Sequence, residues 1–511
     1  MIERILKSAF ILSLISIGVK LLGPAKNILI ADTFGISRKL DAYFIAQNFI
    51  DVITAVFTFT IVILAVPAFI EETVNAMGNG DRSKSAFDSF LLQNIILSVI
   101  FTLLFFALSR PLSQVIPGFS EGEAQAQLAN LLALLSLTLL LAIPSAVLTG
   151  YFNSRSQVVL PSSLMVIPIF TVILSILFLS GLLDIYTIPS GFILGYFLVS
   201  VILFLLYRKK LGGFSFTIKD FTIVGKIKGL IIPTMIFAAG GHINLLVDQL
   251  FTSRIKDGGV SILTYAQFFI MIPFTIITLP LLTAVFPEMS KAHTLEGKRS
   301  LEELTSKAFL VLTALMLPVV LAVAFFRVPL IDLFYNHGNF DSRSVAETAS
   351  VLMAYTPAIF FLSLSSLLQR VFFTKKAMFS LMILTLFSIA MNIGLDIYLS
   401  SKFSIVGIAL ATSVNDILYF SILLFILNKR YEFNIFLGGK THIFRIFFCA
   451  SFTALTFLFV KQMVPLSALS SKLQVLLHLA LYLTAGVSVF LVSLRILFKV
   501  NILEFVRGKN G

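Results

Sequence analysis

The chain is a succession of apolar runs separated by short polar connectors. The runs fall near 8–31, 43–70, 88–108, 126–152, 158–180, 188–207, 229–250, 262–287, 308–326, 345–369, 378–399, 404–427, 443–460 and 474–494. An α-helix needs roughly 20 apolar residues to cross ~30 Å of hydrocarbon. The pattern therefore predicts an all-α polytopic membrane protein of about fourteen transmembrane helices. The longest connectors, near 208–228 and 288–307, are too short for a soluble domain and read as amphipathic segments at the headgroups.

Composition points the same way. Of the 511 residues 58% are hydrophobic and only 12% are charged, and the mean hydropathy is +1.00, which excludes a soluble protein of this size. Arg4 and Lys7 precede the first run in the manner of a signal peptide. That run is too long for one, contains Lys20 and Lys26, and lacks a small-residue cleavage pattern. The net charge of +13 would suggest nucleic acid in a soluble chain. Here it marks topology, and no nucleic-acid partner is expected. With both termini cytoplasmic, most basic residues fall on the inner connectors, including Arg208, Lys209, Lys210, Lys219, Lys226, Lys228, Lys291, Lys298, Arg299 and Lys307.

The chain repeats itself. Ala46-Gln47 precedes an apolar run ending at Pro67, and Ala266-Gln267 precedes one ending at Pro287, both at an offset of 220 residues. Phe119-Ser120 stands opposite Phe340-Asp341, and Phe152 opposite Phe373, at 221. Each repeat holds six spans, so both keep the same orientation. The expected domains are a six-helix lobe over 1–210, a second over 211–430, and two additional helices over 431–511. A cleft between the lobes, opened to each side in turn by rocking, suits a transporter.

An ionisable side chain at membrane depth costs ~2.5–3.5 kcal/mol and marks function by default. Lys20 and Lys26 flank Gly23-Pro24, where the first helix is expected to bend. Two cations in a cleft suit an anionic substrate such as a diphosphate. The competing reading is snorkelling, or pairing with Asp41 or Asp51. Asp41 fits an N-cap of the second span as well as it fits a functional role. Asn244 and Asp248, like Asn392 and Asp396, share a helix face at i, i+4, where they bind a cation or hold two helices together. Asp51, Asn244, Asp248, Gln267, Asn392 and Asp396 are the candidate cavity or ion contacts. Pro144, Pro168, Pro233, Pro273, Pro280, Pro318 and Pro357 lie inside spans as candidate hinges. Cys449 stands alone, and the histidines at 242, 293, 337, 442 and 478 show no ligand spacing. No metal or cofactor is expected.

The first repeat reads Lys20-Leu-Leu-Gly23-Pro-Ala-Lys26, Phe34-Gly35 and Asp41-Ala-Tyr-Phe44-Ile-Ala46. The second reads Val247-Asp248, Gly259-Val-Ser261-Ile-Leu-Thr-Tyr265-Ala266 and Thr283-Ala-Val-Phe-Pro287-Glu-Met-Ser290. Gly338-Asn-Phe340-Asp341, Asn392-Ile-Gly-Leu-Asp396 and Gly407-Ile-Ala-Leu-Ala-Thr-Ser413 follow. From about residue 8 to 430 this resembles the MurJ (MviN) family of lipid II flippases, within the multidrug/oligosaccharidyl-lipid/polysaccharide exporter superfamily. The resemblance implies a V-shaped two-lobed transporter of the bacterial cytoplasmic membrane. Its cationic cavity would receive an undecaprenyl-diphosphate-linked sugar at Lys20, Lys26 and Asp41, and its last two helices would guide the prenyl chain. The family usually has arginine where Lys20 and Lys26 stand, and commonly at Thr54 and Phe268.

Two alternatives share this fold: a flippase for another lipid-linked oligosaccharide, and an ion-coupled multidrug exporter. An exporter would line its cavity with carboxylates rather than lysines. A membrane-embedded glycosyltransferase would carry acidic or His/Arg clusters on sizeable loops, and these are missing, so no enzymatic activity is expected. Without a nucleotide-binding motif, transport draws on membrane potential, a monovalent cation or consumption of cargo.

Overall fold

In a computed structural model, the structure describes residues 22–498 except 76–79, 120, 156, 212–213, 217, 219, 437–439 and 464–470. Every regular element among these residues is helical, and 11 helical segments are long and apolar enough to cross a bilayer. Two of them, Val159–Lys210 and Met378–Tyr431, run for 52 and 54 residues. At ~1.5 Å per residue each is more than twice the ~30 Å hydrocarbon thickness, so each has to fold back. The reversals lie at Asp184 (φ 48°, ψ −132°) and Ser404 (φ 58°, ψ −137°).

The helices are α1 (22–34), α2 (Arg38–Val74), α3 (Gly80–Val115), α4 (Gly122–Ser154), α5 (Val166–Leu183), α6 (Thr187–Leu211), α7 (Thr222–Ile255), α8 (Gly259–Leu295), α9 (Lys298–Tyr335), α10 (Ser342–Thr374), α11 (378–403), α12 (405–431), α13 (Lys440–Met463) and α14 (Lys472–Phe498). They follow the apolar runs, of which the first is described only from residue 22, and most extend past them by a turn or more. The expected bend at Gly23-Pro24 falls at the edge of the described residues, and the chain is helical from residue 22 onward.

The internal duplication is written into the backbone. Asp184 and Ser404 stand 220 positions apart, both with positive φ. Gly118 (φ 78°) and Gly338 (φ 50°) are separated by the same interval. Asp341 caps α10 by accepting from the Ser344 backbone N–H at 2.8 Å and its hydroxyl at 2.7 Å. Those two bonds hold its carboxyl below the ordinary carboxylate range.

Breaks in the helices follow proline, though only partly at the expected places. The π-helical turns Ile61–Ala65 in α2 and Phe274–Thr278 in α8 each end two residues before a proline, Pro67 and Pro280. Proline donates no N–H, and its ring crowds the carbonyl four residues back, which lies inside each π turn. In α9 the kink sits at Phe326 (φ −109°, ψ 16°), three residues before Pro329. Pro144, Pro233 and Pro357 lie within helices that show no such interruption.

The described chain falls in two compact units. One runs to Ser261 and includes His337–Phe340; the other comprises Ile262–Asn336 and the chain from Asp341 onward. Although α7 opens the second half of the duplication, it packs along α2 and so belongs to the first unit.

In the first unit Phe69, Phe87, Tyr151, Phe152 and Tyr207 form a buried aromatic core. Beside it α5 and α6 meet backbone to backbone. A Cβ on Gly191 would lie 2.6 Å from Val172 Cα, and one on Gly195 would strike Pro168 Cα. Thr171 Oγ1 donates to the Gly191 carbonyl at 2.8 Å across this contact. Lipid tails are as apolar as leucine, so membrane helices gain from close approach of this kind rather than from hydrophobicity. In the second unit α13 and α14 pack on α9 through Ala322, Phe326, Phe457, Leu479 and Tyr482, and Gly486 leaves room for the Phe457 ring.

Gly195→Val is expected to force α5 and α6 apart at a cost of about 1–3 kcal/mol, read as a lower unfolding midpoint of the purified protein in detergent. An unchanged midpoint would show that the close approach contributes nothing.

Candidate functional site

Two polar clusters of the first unit carry candidate residues. The first sits where α1 meets α2. Ser37 is the N-cap of α2, its hydroxyl accepting from the Leu40 N–H at 3.3 Å. The N-cap expected at Asp41 is therefore displaced. Asp41 is fully buried and caps a different helix. Its carboxylate accepts from the Gly258 N–H at 2.8 Å, the Ser261 N–H at 2.7 Å and the Ser261 hydroxyl at 2.6 Å. A carboxylate there satisfies the orphan N–H groups that open α8 and meets the positive end of its dipole.

Arg38, one turn before Asp41, reinforces the contact. It pairs with Asp257 at 2.7 Å, donates to the Ser253 carbonyl at 3.1 Å, and lies 4.2 Å from the centroid of the Phe119 ring. Gly258, at φ 79°, approaches Ile36 so closely that a Cβ would collide with it. On the same end Asn339 donates through its backbone N–H to the Asp32 carbonyl at 3.0 Å, and through Nδ2 to the Thr33 carbonyl at 2.6 Å.

The second cluster lies deeper. Asp51 is ten residues beyond Asp41, about 15 Å along α2, so the two aspartates serve separate places. On one face of α2, Tyr43 OH donates to Gln47 Oε1 at 3.4 Å, and Gln47 Nε2 donates to Asp51 Oδ1 at 2.7 Å. His242 on α7 and Lys26 on α1 lie in the neighbourhood of the Asp51 carboxylate. Lys26 Nζ lies 5.2 Å from the centroid of the Phe192 ring on α6, a cation–π contact. Lys26, Asp51 and His242 are each only half-buried. Beneath them Asn48, buried, donates to the His242 carbonyl at 3.3 Å and to Gln249 Oε1 at 3.4 Å. Helices α1, α2 and α7 thus bring an ammonium, a carboxylate, an imidazole and an amide together at membrane depth, and α6 adds the Phe192 ring. Such a set can hold a phosphate group, and it can exchange a proton.

Lys20, the other expected cation, lies outside the described residues. Of the remaining candidates on α7, Asp248 is buried, and Asn244 has a buried Oδ1 with no hydrogen-bond partner among the described residues. In the second unit Gln267 Nε2 donates to Tyr355 OH at 2.9 Å. Asn392 Nδ2 donates to Asp396 Oδ2 at 3.0 Å, both residues buried on α11. Asn415 Nδ2 donates to Ser388 Oγ at 3.0 Å, holding α12 to α11. Phe268, where the resemblance led one to look for a charge, sits among aromatic rings, 6.0 Å from Phe269 and 6.5 Å from Tyr335 between centroids. Among the described residues no group of three or more His, Cys, Asp or Glu side chains could hold a metal ion.

Sequence reading missed His242, Gln47 and Tyr43 as members of the deep cluster. Gln47 was within reach of the i, i+4 rule that paired Asn392 with Asp396. His242 carried no such signal, because only the packing of α7 on α2 brings it to Asp51.

Asp41→Ala is expected to release the first turn of α8, and each lost charge-assisted hydrogen bond costs about 1.5–3 kcal/mol. Hydrogen exchange at Gly258–Ser261 reads this directly. Unchanged protection there would mean that the cap contributes nothing to α8.

Residues 30–479 match the family described as lipid II flippase MurJ. Among curated relatives, the probable lipid II flippase MurJ of Buchnera aphidicola subsp. Schizaphis graminum is 24% identical over 518 residues, covering 95% of this chain and 96% of that protein. The Rickettsia prowazekii protein of the same description is 24% identical over 378 residues, covering 73% and 74%. Among solved structures, a lipid II flippase MurJ in an inward closed conformation superposes with a TM-score of 0.77 at 22% identity, covering 96% of this chain and 99% of the other. An inward-facing multidrug resistance MATE transporter of the MOP superfamily gives 0.67 at 15% identity over 82% and 97%. The fold is the one these transporters share, and the match over residues 30–479 shows that this chain belongs to the lipid II flippase MurJ family.

Proposed function

We propose that this chain carries lipid II, an undecaprenyl-diphosphate-linked peptidoglycan precursor, across the bacterial cytoplasmic membrane by alternating access and without covalent chemistry. The observation that carries the reading is Lys26. Its ammonium stands at membrane depth on α1, beside the Phe192 ring and facing Asp51. Keeping a cation there costs ~2.5–3.5 kcal/mol on insertion scales, a cost that an anionic headgroup offsets by ion pairing. Gln47 and Asp51 supply hydrogen-bonding partners beside it, and Lys20 is the expected second cation. Asp41 and Arg38 hold the α7–α8 connection at what we take as the outer end, with both chain termini cytoplasmic.

The two halves of the duplication, 1–210 and 211–430, rock against each other with α7 staying on α2 in the first body, and the helices of 431–511 guide the prenyl chain. Membrane potential or a monovalent cation supplies the energy. Asn392 and Asp396, buried side by side, are candidate oxygen donors for such a cation. A second reading, another lipid-linked oligosaccharide as cargo, is favoured by the aromatic packing of Phe268 and the uncharged Thr54, which leave fewer cations for a diphosphate.

Depletion of the protein in its native host is expected to cause lipid II to accumulate on the cytoplasmic side. Accumulation of a different polyprenyl-linked glycan would replace the first reading with the second. Lys26→Ala is expected to abolish complementation at normal membrane levels, while Lys26→Arg, which keeps the charge, restores it. Full complementation by Lys26→Ala would remove Lys26 from the headgroup site.

A further inference from the structure

Helices α2, α3 and α7 part to leave an apolar cavity that the headgroup site does not use. Helix α7 packs along α2, α3 packs along α4, and α3 and α7 themselves meet only sparsely. The space between them measures about 330 Å³, within the roughly 300–1,000 Å³ of ligand sites. Its wall on α2 includes Ile61 and Ala65, the first and last residues of the π turn. At one end the rings of Phe57 and Phe101 meet edge to face, 5.5 Å between centroids. Toward the other, Gln93 Nε2 on α3 donates to the Asp220 carbonyl, just before α7, at 3.1 Å.

The lining selects hydrocarbon. Among the described residues its polar members are Thr60, Gln93 and Asn94, and no charged residue lines it. Asn94 Nδ2 is spent on the Phe90 carbonyl at 2.9 Å. Lys226, next in sequence to the lining residue Ile227, turns to Glu71 and Glu72 at 3.1 and 3.0 Å. Thr60 Oγ1 and Gln93 Oε1 have no hydrogen-bond partner among the described residues. Two oxygens on different helices are too few to hold water through a space of this size. Leaving an apolar cavity empty costs free energy in proportion to its volume. Leu97 lines the space and is itself exposed, as are Ile96 and Ile100 beside it and Leu230 and Ile232 on α7. The rim therefore meets the hydrocarbon of the bilayer.

We propose that this crevice binds one acyl chain of a membrane phospholipid, drawn from the leaflet on the side of the α2–α3 connection. The lining runs from Phe90 to Phe101 on α3 and from Val224 to Met235 on α7, about 16 Å of helix in each case. One leaflet supplies half of the ~30 Å of hydrocarbon, so a chain of one leaflet's reach fills the space and ends against Phe57 and Phe101. Lys228, exposed on α7, shares a helix face with Val224 and Ile231. It stands toward the end where the lipid phosphate belongs, and its flexible stem carries the ammonium out to the headgroups. An undecaprenyl chain is far longer than one leaflet and does not fit a space closed at its deep end. The inference depends neither on Lys26 nor on the identity of the cargo.

The test reconstitutes the full-length chain in vesicles of phosphatidylethanolamine and phosphatidylglycerol. A small share of the phosphatidylglycerol carries a photoreactive diazirine near the end of one acyl chain, and cross-linked residues are mapped by peptide mass spectrometry. Cross-links are expected to concentrate on the deep lining, at Phe101 and Met235, above the level at Phe197, an exposed residue of α6 outside the cavity. Ala65→Phe, which fills the crevice from α2, is expected to abolish the cross-links at the lining and to leave those at Phe197. Ile231→Phe fills it from α7 and makes the same test if Ala65→Phe does not fold. Cross-links no denser at the lining than at Phe197, or unchanged in a folded filled variant, overturn the inference. A second set of vesicles carries a photoreactive polyprenyl diphosphate at the same concentration. If that probe labels the lining more strongly than the phospholipid does, the crevice belongs to a prenyl chain and the assignment to a phospholipid is overturned.

Discussion

Hydrocarbon offers no hydrogen bonds, so every polar group that enters the membrane has to find its partner inside the protein. In this chain that constraint decides where polar residues gather. Asp41 at one end of α2 spends its carboxylate on three donors at the start of α8. Asp88, near the start of α3, accepts from the Tyr207 hydroxyl and from the Ser215 N–H, and Lys226 on α7 pairs with Glu72 at 3.0 Å and Glu71 at 3.1 Å. These contacts lie at helix ends. The Lys26–Asp51–His242 group lies between the ends, and its members stay half-exposed.

The same constraint shapes the helices. Proline removes a backbone donor, and α2 and α8 absorb the loss in a π turn just before Pro67 and Pro280 rather than by breaking. A single π turn interrupts the α-helical pattern without ending the helix, and both helices run on past it. Close approach replaces hydrophobicity as the source of cohesion, as Gly191 and Gly195 show between α5 and α6 and Gly486 shows against Phe457.

The deep cluster joins these threads. Its ammonium, carboxylate and imidazole come from α1, α2 and α7, and the aromatic face over Lys26 comes from α6.

The helices were legible in the sequence because hydrophobic length is a property of each segment taken alone, and among the described residues the apolar runs became helices. The duplication was legible for the same reason, since an offset in sequence survives as an offset in backbone, from Asp184 to Ser404 and from Gly118 to Gly338. Lys26 and Asp51 were legible as charges too costly to bury without purpose. What each charge faces was not. Asp41 fitted a cap of its own helix as well as it fitted a functional role, and it caps a helix that begins more than two hundred residues later. His242 looked like a scattered histidine and turned out to be a neighbour of Asp51. Burial cost is local and can be read from one position, but the partner that repays it is chosen by how the helices pack, and only the tertiary structure decides that.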